Sequence, residues 1–183
     1  MAGELLKLLT LEKDARLFVV DVTEPLRERR SPEVTAETET AQSLYKKVFT
    51  NCALMRGMLA DEQRLSVNLR FRGEGYSVHG EVDSRGHVHC VLSAKMRAFD
   101  GDLADLVGEG ATLSITRGSW TGGMFTGTIE LSTPDVDRFF SQFYCQSEQL
   151  ETVFVSWTDE EPARGCMIQP LPCASGGRFQ ELV

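Results

Sequence analysis

An unbroken alternation runs from Leu65 to Arg72: Leu65, Val67, Leu69 and Phe71 are apolar, while Ser66, Asn68, Arg70 and Arg72 are polar or charged. Side chains of a strand point alternately to opposite faces, so this segment predicts a strand with one wet face and one face that must be covered. A chain built around such a strand needs a sheet and a second layer. The flanking sequence supplies more sheet. Tyr76–Val82 and His87–Leu92 surround Asp83-Ser84-Arg85-Gly86, a hairpin turn in which Gly86 can take a positive φ. Ala111–Thr116 and Met124–Leu131, joined through residues 118–123 with Thr121-Gly122-Gly123 as the turn, predict a second hairpin. Arg16–Thr23, Glu151–Trp157 and Gly165–Leu171 are strands by their β-branched and aromatic content, the first of them ended by Pro25.

Helical periodicity is confined to two long segments. Between Thr38 and Ala60 the apolar positions Ala41, Leu44, Tyr45, Val48, Cys52, Met55 and Leu59 recur every three or four residues. Ser31-Pro32-Glu33 before it reads as a loop or helix start. Thr133 is the expected cap of the second helix, with Pro134 at its first position and Val136, Phe139, Phe140, Phe143 and Tyr144 as its apolar face. Residues 102–107 predict a single helical turn, and the leucines at 5, 6, 8, 9 and 11 a short terminal helix. Helices interrupt hairpin-linked strands, so the expected class is α+β, with antiparallel β-sheets built from hairpins and packed helices.

Composition excludes several functions. A chain of 183 residues buries roughly 70% of its unfolded surface and needs no metal or disulfide to fold. The net charge is −8, and Arg27, Arg29 and Arg30, the only basic cluster, are diluted by Glu24 and Glu28, so neither nucleic acid nor a membrane is an expected partner. No stretch approaches the ~20 apolar residues of a spanning helix. Met1–Lys7 lacks a basic segment followed by an apolar run, and Glu4, Glu12 and Asp14 argue against a transit peptide, so a cytoplasmic address is expected.

Candidate chemistry is thin. His87-Val88-His89-Cys90 contains zinc-ligand types, but alternation turns Cys90 away from the two histidines, and His79 on the partner strand falls near residues 90 or 91. A strand with solvated histidines is the simpler reading. The five cysteines, Cys52, Cys90, Cys145, Cys166 and Cys173, form no Cys-x-Cys or Cys-x-x-Cys pair, and their odd number suits a reducing compartment. Arg164, beside Cys166, is the only cation near enough in sequence to activate a thiol. The glycine clusters at 73–75, 108–110 and 122–123 sit between strands, without the helix and lysine of a phosphate cradle. No catalytic residue, cofactor-binding residue or metal ligand is assigned. The apolar row Val67, Leu69 and Phe71 is the one surface put forward for binding, since the face it occupies needs cover; a core helix lying on it is the simpler reading.

Four ordered segments resemble the redox-regulated 33 kDa heat-shock chaperone family: LFVVDVTEPL at 17–26, RLSVNLRFRGEG at 64–75, LVGEGATLSITR at 106–117 and SQFYCQSEQLETVF at 141–154. The tail ARGCMIQPLP at 163–172 is similar to that family's last core strand. The resemblance implies an ATP-independent holdase core, not an enzyme, that binds unfolding client proteins under oxidative and heat stress and is capable of forming a homodimer. It divides the chain into an N-terminal extension (1–15), a chaperone core (16–175) and the start of a linker (176–183) toward a zinc-binding domain, where the family's switch cysteines lie. Zinc is expected there only, and none of the five cysteines matches a switch thiol. The chain departs from the family pattern at His89-Cys90, where Arg-Gly is favoured, at Gly165-Cys166, where paired glycines are, and at Tyr76, where a proline is usual. An enzyme using one core cysteine and a constitutive protein-interaction module are the rival classes.

Overall fold

The computed structural model describes residues 3–28, 36–119, 122–159 and 161–171. Arg29, Arg30, the Ser31-Pro32-Glu33 segment, Thr121, Cys173 and the expected linker start at 176–183 lie outside the described residues. The alternating segment forms β3 (Gln63–Arg70), the centre of a five-stranded antiparallel sheet. The first hairpin contributes β4 (Ser77–Asp83) and β5 (Val88–Leu92), and the second contributes β6 (Thr112–Ser119) and β7 (Met124–Glu130), giving the order β5-β4-β3-β6-β7. Gly86 closes the first turn at φ 89°.

A second sheet has the order β1-β2-β9-β8, from β1 (Glu4–Leu9), β2 (Ala15–Asp21), β9 (Arg164–Pro170) and β8 (Val153–Trp157), and all its pairs are antiparallel. The terminal helix expected over the leucines at 5–11 is therefore corrected to a strand: Glu4 to Leu9 pair with Asp21 to Arg16 along their whole length. Leucines this dense make no helical stripe, and pairing with an apolar neighbour strand decides the conformation. Pro25 likewise does not end β2; the strand stops at Asp21 and Pro25 sits in the first turn of α1 (Thr23–Glu28), where its missing N–H costs nothing.

Helix α2 (Glu39–Met55) lies between the sheets, in contact with β4 and β5 on one side and β2, β8 and β9 on the other. Thr38 caps it by accepting from the Ala41 amide. Every residue from Val48 to Met55 is buried, so the half of the helix that enters the core has no wet face. Two glycines permit this. A β-carbon at Gly80 of β4 would stand 2.8 Å from Cys52 Sγ, and one at Gly165 of β9 would stand 2.5 Å from Thr50 Cγ2. The helix thus rests on bare backbone in each sheet. Helix α3 (Ala94–Arg97) is a single turn after β5.

Helix α4 (Val136–Ser147) covers the remaining gap with Phe139, Phe140, Phe143 and Tyr144, all buried. Its cap is Asp135, which accepts from the amides of Asp137 and Arg138, and not Thr133 as expected; Pro134 falls before the helix. The same helix closes the outer edge of β8. Asp137 Oδ2 accepts the Ser156 amide at 2.8 Å, and Ser141 Oγ accepts the Phe154 amide at 3.0 Å. Asp137 Oδ1 also accepts from the Ser156 hydroxyl and from Asn51 Nδ2 of α2, each at 2.8 Å.

Asp137 is buried, and its removal would leave the Ser156 amide and the Asn51 side chain unsatisfied. Asp137→Ala is expected to cost about 3 kcal/mol in urea unfolding, with Asp137→Asn losing less. Gly80→Ala is expected to cost about 1–3 kcal/mol by overpacking, and measurably less in a Cys52→Ala background, because the clash is with that sulfur. Equal costs in both backgrounds would show that the helix does not rest where described.

Candidate docking face

Directly paired residues of antiparallel strands point to the same face, so the register separates the two sides of the four-stranded sheet. Its inner side carries Phe18, Met167 and Phe154 in one row and Val20 and Gly165 in another, all turned to α2 and α4. Its outer side carries Leu6, Val19, Cys166 and Val155 in one row. The adjacent outer row is Leu8, Leu17, Ile168 and Val153.

Both outer rows are apolar from edge to edge, and no described element lies on them. Leu6, Leu8 and Val155 are 51%, 49% and 37% exposed, and the members on the central strands are half-buried by their neighbours alone. None belongs to the core cluster or packs against it. At one end the rows are bounded by Asp21 and Arg164, joined at 3.1 Å, with Trp157 beside them 58% exposed. Such contiguous apolar surface marks a binding face in a folded protein.

The outer side of the five-stranded sheet is different in kind. Ser66, Glu81, His89, Thr116 and Thr126 form one row across it, and Asn68, His79, Val91, Ser114 and Thr128 the next. These side chains satisfy one another: Ser114 with Thr128 at 2.9 Å, Thr116 with Thr126 at 2.8 Å, and the His79 ring with Asn68 and Glu81 at 2.9 and 3.2 Å. His87 Nδ1 pairs with Asp83 at 2.8 Å. Cys90 is turned inward and fully buried, so the His-Val-His-Cys string is split between two faces. Among the described residues no group of three His, Cys, Asp or Glu side chains is placed to hold a metal ion.

Val67, Leu69 and Phe71 are 0%, 0% and 4% exposed. The face they occupy is covered, Val67 lying beside Cys52 of α2 at the Gly80 contact and Phe71 against the Phe139 ring of α4 at 6.4 Å. All three side chains are turned into the core. Arg164 does not activate Cys166 either: its guanidinium is engaged by Asp21, and burial pushes the Cys166 thiol pKa up. Cys52 is pushed up to about 12 by the same cause.

The outer face of the four-stranded sheet carries a sequence signal that strand propensity alone passes over. Leu17-Phe18-Val19-Val20 and Val153-Phe154-Val155 are continuous apolar runs, and Cys166-Met167-Ile168 is another. An uninterrupted run puts apolar side chains on both faces of a strand, so each of these strands demands cover twice.

The model of the family described as Hsp33 protein matches residues 3–182. The 33 kDa chaperonin of Lacticaseibacillus casei is 26% identical over 200 residues, which cover 100% of this chain and 66% of that protein. The 33 kDa chaperonin of Thermus thermophilus is 26% identical over 186 residues, covering 94% of this chain and 54% of the relative. The crystal structure of the 33 kDa chaperonin from Thermotoga maritima superposes with a TM-score of 0.71 at 18% identity, over 89% of this chain and 59% of that one, and so shares the α+β fold of two antiparallel sheets and helices. The chain spans about two thirds or less of the length of the relatives it matches. With its family model matched almost from end to end, the chain belongs to the Hsp33 family.

Proposed function

We propose that this chain is the client-binding part of an ATP-independent holdase, and that unfolding proteins dock on the outer face of the four-stranded sheet. The observation that carries this reading is the pair of apolar rows from Leu6 to Val155 and from Leu8 to Val153, which no described element covers. An unfolding protein exposes apolar surface of its own, and joining the two removes both from water at roughly 25 cal/mol per Å². Such attraction is non-directional, which suits a binder that must accept many sequences. No bond is made or broken, so neither nucleotide nor catalytic residue is called for. The net charge of −8 keeps the loaded complex apart from others like it.

In this reading the core begins with β1 rather than at residue 16, runs to about 175, and leads into a linker at 176–183. Zinc and the switch cysteines are assigned to the part of the relatives' length that this chain does not match. A cytoplasmic address and a homodimer belong to the same reading. A cysteine-dependent enzyme is disfavoured, because a nucleophilic thiol needs a lowered pKa and burial raises both Cys52 and Cys166. A constitutive module for one folded partner would form a single saturable complex in place of broad affinity for unfolded chains.

Leu8→Asp combined with Val155→Asp places charge in both outer rows at exposed positions, so the thermal midpoint is expected to move little. Suppression of light scattering from a heat-denaturing client by the same variant is expected to require several-fold more protein. Undiminished suppression would remove the outer face from the mechanism. No suppression by the unsubstituted chain at stoichiometric ratios would remove the holdase reading itself.

A further inference from the structure

Cys52 and Cys90 meet at one glycine. Gly80 of β4 pairs directly with Cys90 of β5, so a β-carbon at residue 80 would stand beside that of Cys90 on the inner face, about 5 Å away. Cys52 Sγ of α2 lies 2.8 Å from that same position. Both cysteines thus neighbour Gly80 on the inner face, one from the helix and one from the adjacent strand, and both are fully buried. Neither thiol is in a disulfide. We propose that Cys52 and Cys90 form a core dithiol that peroxide converts into a disulfide, cross-linking α2 to the five-stranded sheet.

The arrangement favours this pairing over the alternatives. Closing a disulfide brings the two β-carbons to about 3.5–4.5 Å, and residue 80, the neighbour of both, contributes no side chain of its own. Of the other described cysteines, Cys145 lies exposed on α4, and Cys166 points to the outer face of the other sheet. Cys52 and Cys90 also sit in unlike elements, so the bond would join a helix to a sheet edge and close a long loop.

The oxidation consumes two thiols and one hydrogen peroxide. The first thiol loses its proton, its sulfur attacks a peroxide oxygen, the O–O bond breaks, and a sulfenic acid and one water result. The second sulfur, deprotonated in turn, attacks the sulfenic sulfur; the S–O bond breaks and a second water leaves. Two electrons pass from the sulfurs to peroxide, and a dithiol reductant reverses the change. Burial holds Cys52 as the thiol, so the first attack requires α2 to rise from the sheet and admit water and oxidant. Heat, which populates that opening, therefore accelerates the cross-link, and the bond then returns the helix to its seat over Val67.

The test uses the whole chain, reduced and then exposed to hydrogen peroxide at rising temperatures below its unfolding midpoint. Thiols are alkylated in denaturant and unreduced digests are mapped by mass spectrometry. A peptide joining Cys52 to Cys90, two hydrogens lighter than its parts, is expected as the dominant cross-link, with a raised thermal midpoint that dithiothreitol reverses. A parallel oxidation in guanidinium scatters the pairings. Recovery of Cys52 and Cys90 as separately alkylated thiols after the exposed Cys145 has been oxidised would overturn the proposal. So would a distribution of cross-links identical to that in guanidinium. Cys90→Ser is expected to abolish the joined peptide while Cys145 still oxidises, which separates a specific pair from general thiol damage.

Discussion

The close approach of α2 to two sheets at once governs everything else in this fold. A helix buried on all sides must find backbone, not side chains, beneath it wherever a residue projects straight down, and Gly80 and Gly165 supply that on opposite sides. Cys52 stands on one, Thr50 and Leu54 on the other. With the helix seated, the inner faces of both sheets are used up: Val67 and Leu69 on one, Phe18 and Met167 on the other. The outer faces are then free to differ. One became a self-satisfied polar lattice of serine, threonine, asparagine and histidine, the other an apolar plane.

Much of this was legible in the residues. The alternation at 65–72 located β3 and its buried face, the hairpins followed from Asp83–Gly86 and from the glycines at 122 and 123, and α2 emerged from its period. The stripe read for α2 was nonetheless too narrow, because it omitted Phe49, Ala53 and Leu54, all buried, of which Leu54 meets Gly165 of the second sheet. Periodicity finds the strongest face of a helix; a helix between two layers has two. Capping was misassigned at α4 because Thr133 and Asp135 both fit the cap pattern and only backbone direction separates them. β1 was missed because an edge strand owes its conformation to its partner strand, and its own leucines carry no period of two to announce it.

The outer apolar face was the least legible element, for a physical reason. Alternation draws attention to Val67, Leu69 and Phe71, since a strand with one apolar face announces that face. Yet a clean alternation also means that the demand for cover is met once, and here α2 and α4 meet it. Strands such as Leu17–Val20 and Val153–Val155, apolar on both faces, leave one demand outstanding after the core is built. In an open four-stranded sheet whose described helices lie on a single side, that outstanding face stays apolar and uncovered by them.

An apolar plane of this kind brings a hazard, because a sheet with an uncovered face can also recruit strands at its edges and so seed aggregation. The two edges are treated differently. At β8, a strand without a single charge, the amides of Phe154 and Ser156 that a further strand would seek are already bonded to Ser141 and Asp137, one helical turn apart on α4. At β1 the chain instead sets Glu4 and Lys7 among the leucines, and an incoming strand would have to accommodate those charges. Asp137 therefore has two duties that coincide in one carboxylate: it ties α4 to Asn51 of the central helix, and it stands in for the strand that β8 lacks. The apolar face can stay open because the edge without charges is closed by the helix that also completes the core.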